Sequence, residues 1–237
     1  MLTTLIENVP DLDDDEYALI RRQGLGASDS SVLLGVNPYK QKHDLIVEKR
    51  SKVITDEERA IKKKEAVRKG FDLEPLILQK YVALTGNPEP IKPPAMYQIK
   101  ATPCLTINFD GVSAIDDYLI PVECKFVTIY GDKYYNRNNA FKREFGECAL
   151  NRTCRAYTDS VDRIKAKAEA VGIPPYYYTQ VQQQIYGLGS PYGLLTALHD
   201  KGWETVLYFI PRDDECIRAI CIEGTKTWIK IGGENNG

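Results

Sequence analysis

One segment constrains the fold of this chain more than any other, because Tyr118–Val127 is a mostly apolar run that carries two opposite charges. Segments of this composition form strands, in which residues two apart point to the same face. Glu123 and Lys125 therefore emerge from one face, about 6.6 Å apart along the strand, while Cys124 faces the other. Charged side chains are costly to bury unless they are paired or bind a metal, so this strand predicts a functional site.

A second carboxylate precedes this strand. Asp110 starts a shorter strand predicted over 112–115, and two aspartates form the turn between the strands, so that Asp110 meets Glu123 at one sheet edge. A carboxylate pair binds a hard cation such as Mg²⁺, which stabilises charge on a phosphodiester, while Lys125 orients or deprotonates a water. The alternative is that Glu123 and Lys125 only form a solvated strand face.

The first half of the chain has a helical pattern. The acidic run 11–16 begins either a solvated lead-in or a first helix, and residues 55–58 form a capping box that starts a longer one. Gly70 is predicted to interrupt this longer helix, Pro75 to bend it, and Gly86 to end it.

The second half alternates between helix and strand. Residues 131–170 are polar and are predicted to form two helices or an insertion, with helical spacing over 159–171. A helix is expected over 176–188. Two β-rich segments, 204–210 and 215–222, predict a closing hairpin.

Composition narrows the functional classes. The chain has 237 residues, with 31 Lys and Arg against 33 Asp and Glu, so its net charge of -2 gives no overall positive field and any basic surface must be local. No apolar run approaches the roughly 18 residues of a membrane helix, and no signal peptide is recognised, so a cytoplasmic protein without a membrane partner is expected. The six cysteines form no C-x-x-C pair and are predicted to be reduced thiols.

Five short motifs follow one another in a specific order. They are Arg21 with the loop 24–29, the helical segment 70–74, Asp110-Gly111, Glu123-Cys124-Lys125, and the glutamine segment 178–182. Together they resemble the YqaJ-type viral recombinases, the λ-exonuclease-like nucleases of the PD-(D/E)XK superfamily. The resemblance covers residues 21–222.

This resemblance implies an α/β fold with a restriction-endonuclease-like core, in which helices flank a central mixed sheet, and a single nuclease domain over 1–237 with a helical insertion at 131–170. It further implies a Mg²⁺-dependent deoxyribonuclease, with Mn²⁺ as a substitute, that degrades double-stranded DNA from 5′ ends. The 3′ overhangs would serve a single-strand annealing protein in recombination. A homotrimer is plausible by analogy, in a bacterial or phage-infected cell, or in the nucleus of a eukaryotic host.

The resemblance also implies roles for residues at the carboxylate edge. Asp110 and Glu123 would bind the metal together with the backbone carbonyl of Cys124. Lys125 would act on the attacking water. Glu74 would support a second metal or the water; judged from its local sequence alone, it is a surface carboxylate on a helix.

Four residues are implied in holding the DNA. Arg21 and Ser28 resemble a pocket for the 5′ phosphate, and Gln180 would place the water and the terminal phosphate. Asn108 stands where relatives carry a small hydroxyl residue. A helix N-terminus and an arginine both suit phosphate, but Ser28 also fits a plain helix cap and Gln180 an ordinary polar helix position.

Other interpretations remain open at this stage. The same metal site occurs in endonucleases and structure-specific nucleases, and a DNA-binding module without catalysis would share the fold. Basic residues between Lys125 and Gln180 either contact DNA or another subunit, or lie on a solvated helix pair. These residues are Lys133, Arg137, Lys142, Arg143, Arg152, Arg155, Arg163, Lys165 and Lys167.

Overall fold

The computed structural model describes residues 2–62, 64–128, 131–137 and 160–232, and it confirms a mixed α/β fold. The strands are β1 (Leu2–Ile6), β2 (Leu25–Gly26), β3 (Met96–Ile99), β4 (Leu105–Ile107), β5 (Gly111–Ile115), β6 (Tyr118–Val127), β7 (Tyr192–His199) and β8 (Glu204–Pro211). The helices are α1 (Asp14–Arg21), α2 (Ser30–Leu33), α3 (Lys42–Arg50), α4 (Asp56–Lys62), α5 (Glu65–Thr85), α6 (Ser160–Val171), α7 (Pro175–Leu188) and α8 (Asp214–Ile231).

The sheet that carries the predicted site has the strand order β5-β6-β7-β8. Strands β5 and β6 form the predicted hairpin, with Gly111 opposite Val122, and Asp116 adopts a positive φ of 52° in the turn. Strand β7 runs parallel to β6, which places Leu195 beside Glu123, and β8 returns antiparallel to β7. The sheet is therefore mixed, as predicted.

A second four-stranded sheet, which the sequence did not predict, has the order β1-β3-β4-β2. Strand β1 precedes the acidic run 11–16 and pairs with β3, with Leu2 opposite Ile99. The acidic run leads into helix α1, which confirms the first helix as one of its two predicted forms. The two-residue strand β2 lies parallel to β4, so the loop after Arg21 is attached to a sheet at Leu25.

Helices cover both faces of the first sheet. Helix α5 buries Ile77, Leu78 and Tyr81 against one face, in a cluster that includes Cys124. Helix α7 buries Val181 and Ile185 on the other side, in the main core. Each such side chain contributes about 1.5–3 kcal/mol when fully buried. Strand β6 therefore lies between two packed layers, which explains why its charged residues are out of water.

The predicted interruption at Gly70 is wrong. Helix α5 runs without a break from Glu65 to Thr85 and includes Gly70 and Pro75, and it ends at Gly86 with a φ of 67°, as predicted. Glycine costs a helix only about 1 kcal/mol relative to alanine. Burial of the apolar face of α5 outweighs that local cost.

The capping box before α4 is confirmed, since Thr55 and Glu58 exchange hydrogen bonds between side chain and backbone.

The predicted closing hairpin is also wrong. Strand β8 pairs with β7, and the segment 215–222 lies inside helix α8. Asp213 caps this helix by accepting a hydrogen bond from the Cys216 amide at 3.2 Å. The buried positions Cys216, Ile217 and Ile220 follow a helical spacing. Tertiary packing thus overrides the β propensity of the isoleucines.

The predicted insertion is only partly described. Helix α6 confirms the helical spacing over 159–171 and packs Ile164 into the core. Residues 138–159, with the basic positions in that stretch, lie outside the described residues. Arg163 and Lys167 pair with acidic residues at the start of α8, Lys167 at 2.8 Å from Asp213.

Within the described ranges, no helix has the length and apolar character needed to span a membrane.

Candidate functional site

Asp110 lies at the sheet edge where β5 begins. Its Oδ2 atom accepts a hydrogen bond of 2.9 Å from the backbone amide of Cys124. The next residue must be small, because a Cβ atom on Gly111 would lie 2.9 Å from the Cβ of Pro90 and 3.2 Å from the Cδ2 of Leu78. This close packing and the pairing of Gly111 with Val122 of β6 fix the backbone next to the Asp110 carboxylate.

The backbone of Cys124 faces the same edge. The N–H and C=O of a strand residue project from one side, so the Cys124 carbonyl points toward Asp110 as its amide does. The thiol lies in the apolar cluster beneath α5, and burial, followed by the nearby Asp110 charge, raises its pKa. Cys124 therefore offers a carbonyl oxygen at the edge, whereas its neutral thiol belongs to the core.

Glu123 is almost completely buried, with 1% of its side chain exposed. Its Oε1 atom accepts hydrogen bonds from Lys125 and from Gln180, the latter at 2.5 Å, and its Oε2 accepts one from Gln184 at 2.6 Å. Burial and the nearby charge of Asp110 raise the pKa of Glu123 to about 7, against the opposing effects of Lys125 and Gln184. Glu123 can therefore change its charge near neutral pH.

Lys125 is the cationic partner of Glu123. Burial alone would lower its pKa, but the charges of Glu123 and Asp110 raise it. Its ammonium nitrogen also lies 5.0 Å from the ring centroid of Tyr177. In this arrangement Lys125 is a protonated donor, so it is suited to orient a water or a phosphate oxygen rather than to remove a proton.

Glu74 reaches the same edge from helix α5. Its side chain is 15% exposed, and its Oε2 accepts a hydrogen bond of 2.6 Å from Lys92. Burial and the charge of Asp110 raise the pKa of Glu74, while Lys92 opposes the shift. Asp110 thus acts electrostatically on both Glu74 and Glu123, and three carboxylates share one end of the sheet.

The donor chemistry of this edge suits a hard divalent cation. Its oxygens come from Asp110, from the two glutamates whose charges it opposes, and from a backbone carbonyl, which are the ligands that Mg²⁺ prefers. Gln184 Oε1 is a buried acceptor with no hydrogen-bond partner among the described residues. Over the same part of the chain, no three His, Cys, Asp or Glu side chains are close enough together to hold an ion as they stand. The carboxylate oxygens of Glu123 instead accept hydrogen bonds from Lys125, Gln180 and Gln184.

Three of the four predicted phosphate-binding residues, Arg21, Ser28 and Asn108, lie on a more exposed surface than Glu123. Arg21 Nη2 donates to Ser28 Oγ at 2.9 Å, and the Arg21 guanidinium lies 5.8 Å from the ring centroid of Tyr17. Asn108 Nδ2 donates to the Tyr17 hydroxyl at 2.9 Å. Tyr17 therefore connects Arg21 and Asn108. Gln180, the fourth residue of this set, contacts Glu123.

A buried ion pair supports the loop beneath Arg21. Lys49 Nζ lies 2.8 Å from Asp29 Oδ2 and donates to the Arg21 carbonyl at 2.7 Å. Asp29 Oδ2 also accepts a hydrogen bond of 2.9 Å from the Gly26 amide. The pKa of Asp29 is lowered because Lys49 and Arg21 outweigh the effect of burial. The backbone on both sides of Ser28 is thereby fixed.

The sequence did not identify Gln184, Lys92 or Lys49 as residues of this region. Gln184 could have been found, because it lies four residues after Gln180 and therefore on the same helix face. Lys92 and Lys49 carry no comparable signal, since each meets its partner only through the tertiary fold.

Comparison with known proteins agrees with this architecture. The model of the YqaJ-like viral recombinase domain matches residues 16–189. The chain belongs to this family. The YqaJ-family chain is also similar in structure to the alkaline exonuclease LHK-Exo from Laribacter hongkongensis, with a TM-score of 0.59, 15% identity and 92% of each chain covered. LHK-Exo in complex with dAMP gives a TM-score of 0.58, 16% identity and 92% coverage of each chain. At these identities the likeness establishes the fold. No curated protein matches the sequence significantly.

Proposed function

We propose that this YqaJ-family protein is a Mg²⁺-dependent deoxyribonuclease that degrades double-stranded DNA from 5′ ends and leaves 3′ overhangs. One observation carries the proposal: a strand pair brings Asp110 and Glu123 to one sheet edge, with Lys125 and two glutamines of α7 on the buried carboxylate. The structural similarity to LHK-Exo, an alkaline exonuclease, supports the choice of reaction.

Asp110, Glu123 and the Cys124 carbonyl would hold the Mg²⁺ ion, and Glu74 would support a second ion or a water. Mn²⁺, which also accepts oxygen ligands, would substitute. When bound, the metal supplies positive charge to the phosphodiester under attack. It would also relieve the repulsion among the three carboxylates, two of which have raised pKa values.

The side chains around the carboxylates have separate parts in this proposal. Lys125 and Gln180 orient the attacking water, since both are donors directed at Glu123. Arg21 and Ser28 hold the terminal 5′ phosphate, because a guanidinium and a hydroxyl 2.9 Å apart form a compact donor pair for an anion. Asn108 orients this pocket through Tyr17.

The family description as a recombinase domain supports a proposal for the biological setting. A 3′ overhang is a substrate for a single-strand annealing protein, and a recombinase domain that makes such overhangs would act with one. We propose a homo-oligomer, with a trimer as the form to test, acting on DNA in the cytoplasm of a bacterial or phage-infected cell.

The deciding experiment uses a linear duplex with 5′ phosphates, labelled separately at each end of one strand and incubated with Mg²⁺ or with EDTA. Metal-dependent loss of the 5′ label, with closed circular duplex intact, is the expected result. Cutting of the circle would replace the exonuclease with an endonuclease. A folded protein that binds DNA but cuts neither substrate would favour a binding module.

A matched pair of variants ties the result to the site. Lys125→Ala should lose the metal-dependent cutting, whereas Lys100→Ala should keep it, because Lys100 is exposed in the turn between β3 and β4. Thermal unfolding of both variants checks that they are folded. Equal cutting by the two variants would remove Lys125 from the reaction.

A further inference from the structure

A row of aromatic rings leads from Lys125 to the protein surface. Tyr177, whose ring centroid is 5.0 Å from Lys125 Nζ, lies 4.4 Å from the ring of Tyr176. Tyr176 in turn lies 5.9 Å from the ring of Tyr39, at an interplanar angle of 70°. Tyr39 is 78% exposed. The row therefore begins beside the carboxylates and ends in solvent.

Tyr39 is held in place although it is exposed. Asn37 Oδ1 accepts a hydrogen bond of 2.8 Å from the Tyr39 amide. Asn37 Nδ2 donates to Ser31 Oγ at 2.8 Å, and Ser31 Oγ donates to the Ser28 carbonyl at 3.1 Å. A short chain of hydrogen bonds thus connects the backbone of Tyr39 with that of Ser28. The aromatic surface and the Arg21–Ser28 pair are fixed to one segment.

A further exposed ring, that of Tyr134, lies close enough to Tyr176 to act on it electrostatically, and it carries a cation beside it. Tyr134 is 54% exposed, and the ammonium of Lys133 lies 5.0 Å from its ring centroid. Aromatic rings interleaved with cations are typical of surfaces that bind single-stranded nucleic acid, because every base can stack on a ring while the cations attract phosphates. The surface of Tyr39, Tyr176 and Tyr134 has this composition.

We propose that Tyr39 and Tyr176 form a stacking platform for the nucleobases of the DNA strand held at the carboxylate edge, a few nucleotides from the bond that is cut. This inference rests on the proposed nuclease function and adds a preference: an end whose terminal nucleotides are unpaired and carry bases binds more tightly than one without bases. Stacking is tolerant of base identity, so the platform selects for the presence of a base and not for a sequence.

The test measures binding in EDTA, where no metal-dependent cutting takes place. The probe is a duplex with a short 5′-phosphorylated overhang, labelled at a distant 3′ end, with the overhang bases either present or replaced by abasic sites. Fluorescence anisotropy of the wild-type protein should give at least about fivefold tighter binding to the overhang with bases. For Tyr39→Ala, the ratio of the two affinities should approach one.

Two control variants separate stacking by the Tyr39 ring from loss of its hydroxyl and from loss of any exposed tyrosine. Tyr39→Phe retains the ring and should retain the affinity ratio. Tyr118→Ala removes another exposed tyrosine, 52% exposed, at the far end of β6, five residues before Glu123, and should leave the ratio unchanged. A Tyr39→Ala protein with the wild-type ratio would overturn the platform.

The platform and the proposed function fail in different ways. A wild-type protein that cuts DNA with Mg²⁺ but binds both overhangs equally would refute the platform alone. A wild-type protein that prefers the overhang with bases but cuts no DNA would support the platform and refute the nuclease. In the cutting reaction, Tyr39→Ala should raise KM for the overhang with bases with little change in kcat.

Discussion

The candidate site has two halves that are constructed differently. The strand half places Glu123 and Lys125 between two packed layers, where Glu123 accepts hydrogen bonds from three side chains. The loop half presents Arg21 and Ser28 on an exposed surface, supported from below by a buried ion pair. The difference separates two tasks: charges held away from water suit the reaction itself, whereas exposed donors suit the capture of a DNA end.

Loss of the Lys125 ammonium group should reduce the rate of cutting more than any other change, and it tests the strand half directly. Lys125→Met removes the donor beside Glu123 while retaining most of the side-chain volume. The single-turnover rate of cutting should fall by about 10²–10³-fold, with DNA affinity in EDTA nearly unchanged. Rapid-quench kinetics and anisotropy measure the two quantities. A variant that loses affinity but not rate would place Lys125 in the capture half instead.

Loss of the arginine should give a smaller effect, confined to DNA ends. Arg21→Ala should reduce the preference for 5′-phosphorylated over 5′-hydroxyl ends by about 10- to 100-fold, the worth of charge-assisted hydrogen bonds. Competition between the two substrates measures this preference. Arg218→Ala, an exposed arginine of α8, is the control. An equal loss of activity on both ends would contradict the division into two halves.

The pH dependence of Mg²⁺ affinity should be smaller still, and it should arise from Glu123 in the strand half. The pKa of Glu123 is raised to about 7, so the metal-free protein keeps this proton as the pH falls below 7. A cation must displace that proton, and Mg²⁺ affinity should therefore fall about tenfold per pH unit below 7 and level off above it. Calorimetric titration at pH 6 and pH 8 measures the change. Equal affinities would exclude Glu123 as a ligand that titrates in this range.

The sequence was sufficient where a local pattern and the tertiary fold agree. Tyr118–Val127 is a mostly apolar run that follows a turn and carries its two charges on one face, so both the strand and the proximity of Asp110 to Glu123 could be predicted. The order of short motifs then indicated the family, which the domain match confirms.

The sequence was insufficient where long-range packing decides. Helix α8 contains isoleucines that favour strands locally, and its helical state depends on the Asp213 cap and on burial of one face. Lys49 lies on an unremarkable charged helix, yet it is buried beside Asp29 because the loop and α3 meet only in the folded chain. No local pattern contains that information.

The glutamines of α7 have a consequence for the size of the product. Gln184 binds Glu123 in β6, while its neighbour Gln183 donates at 3.0 Å to the carbonyls of Leu25 and Thr106, which belong to the sheet that carries the Arg21 loop. One turn of helix α7 thus fixes the distance between the strand half and the loop half of the candidate site. If Arg21 grips the terminal phosphate, this spacing determines how many nucleotides leave with each cut.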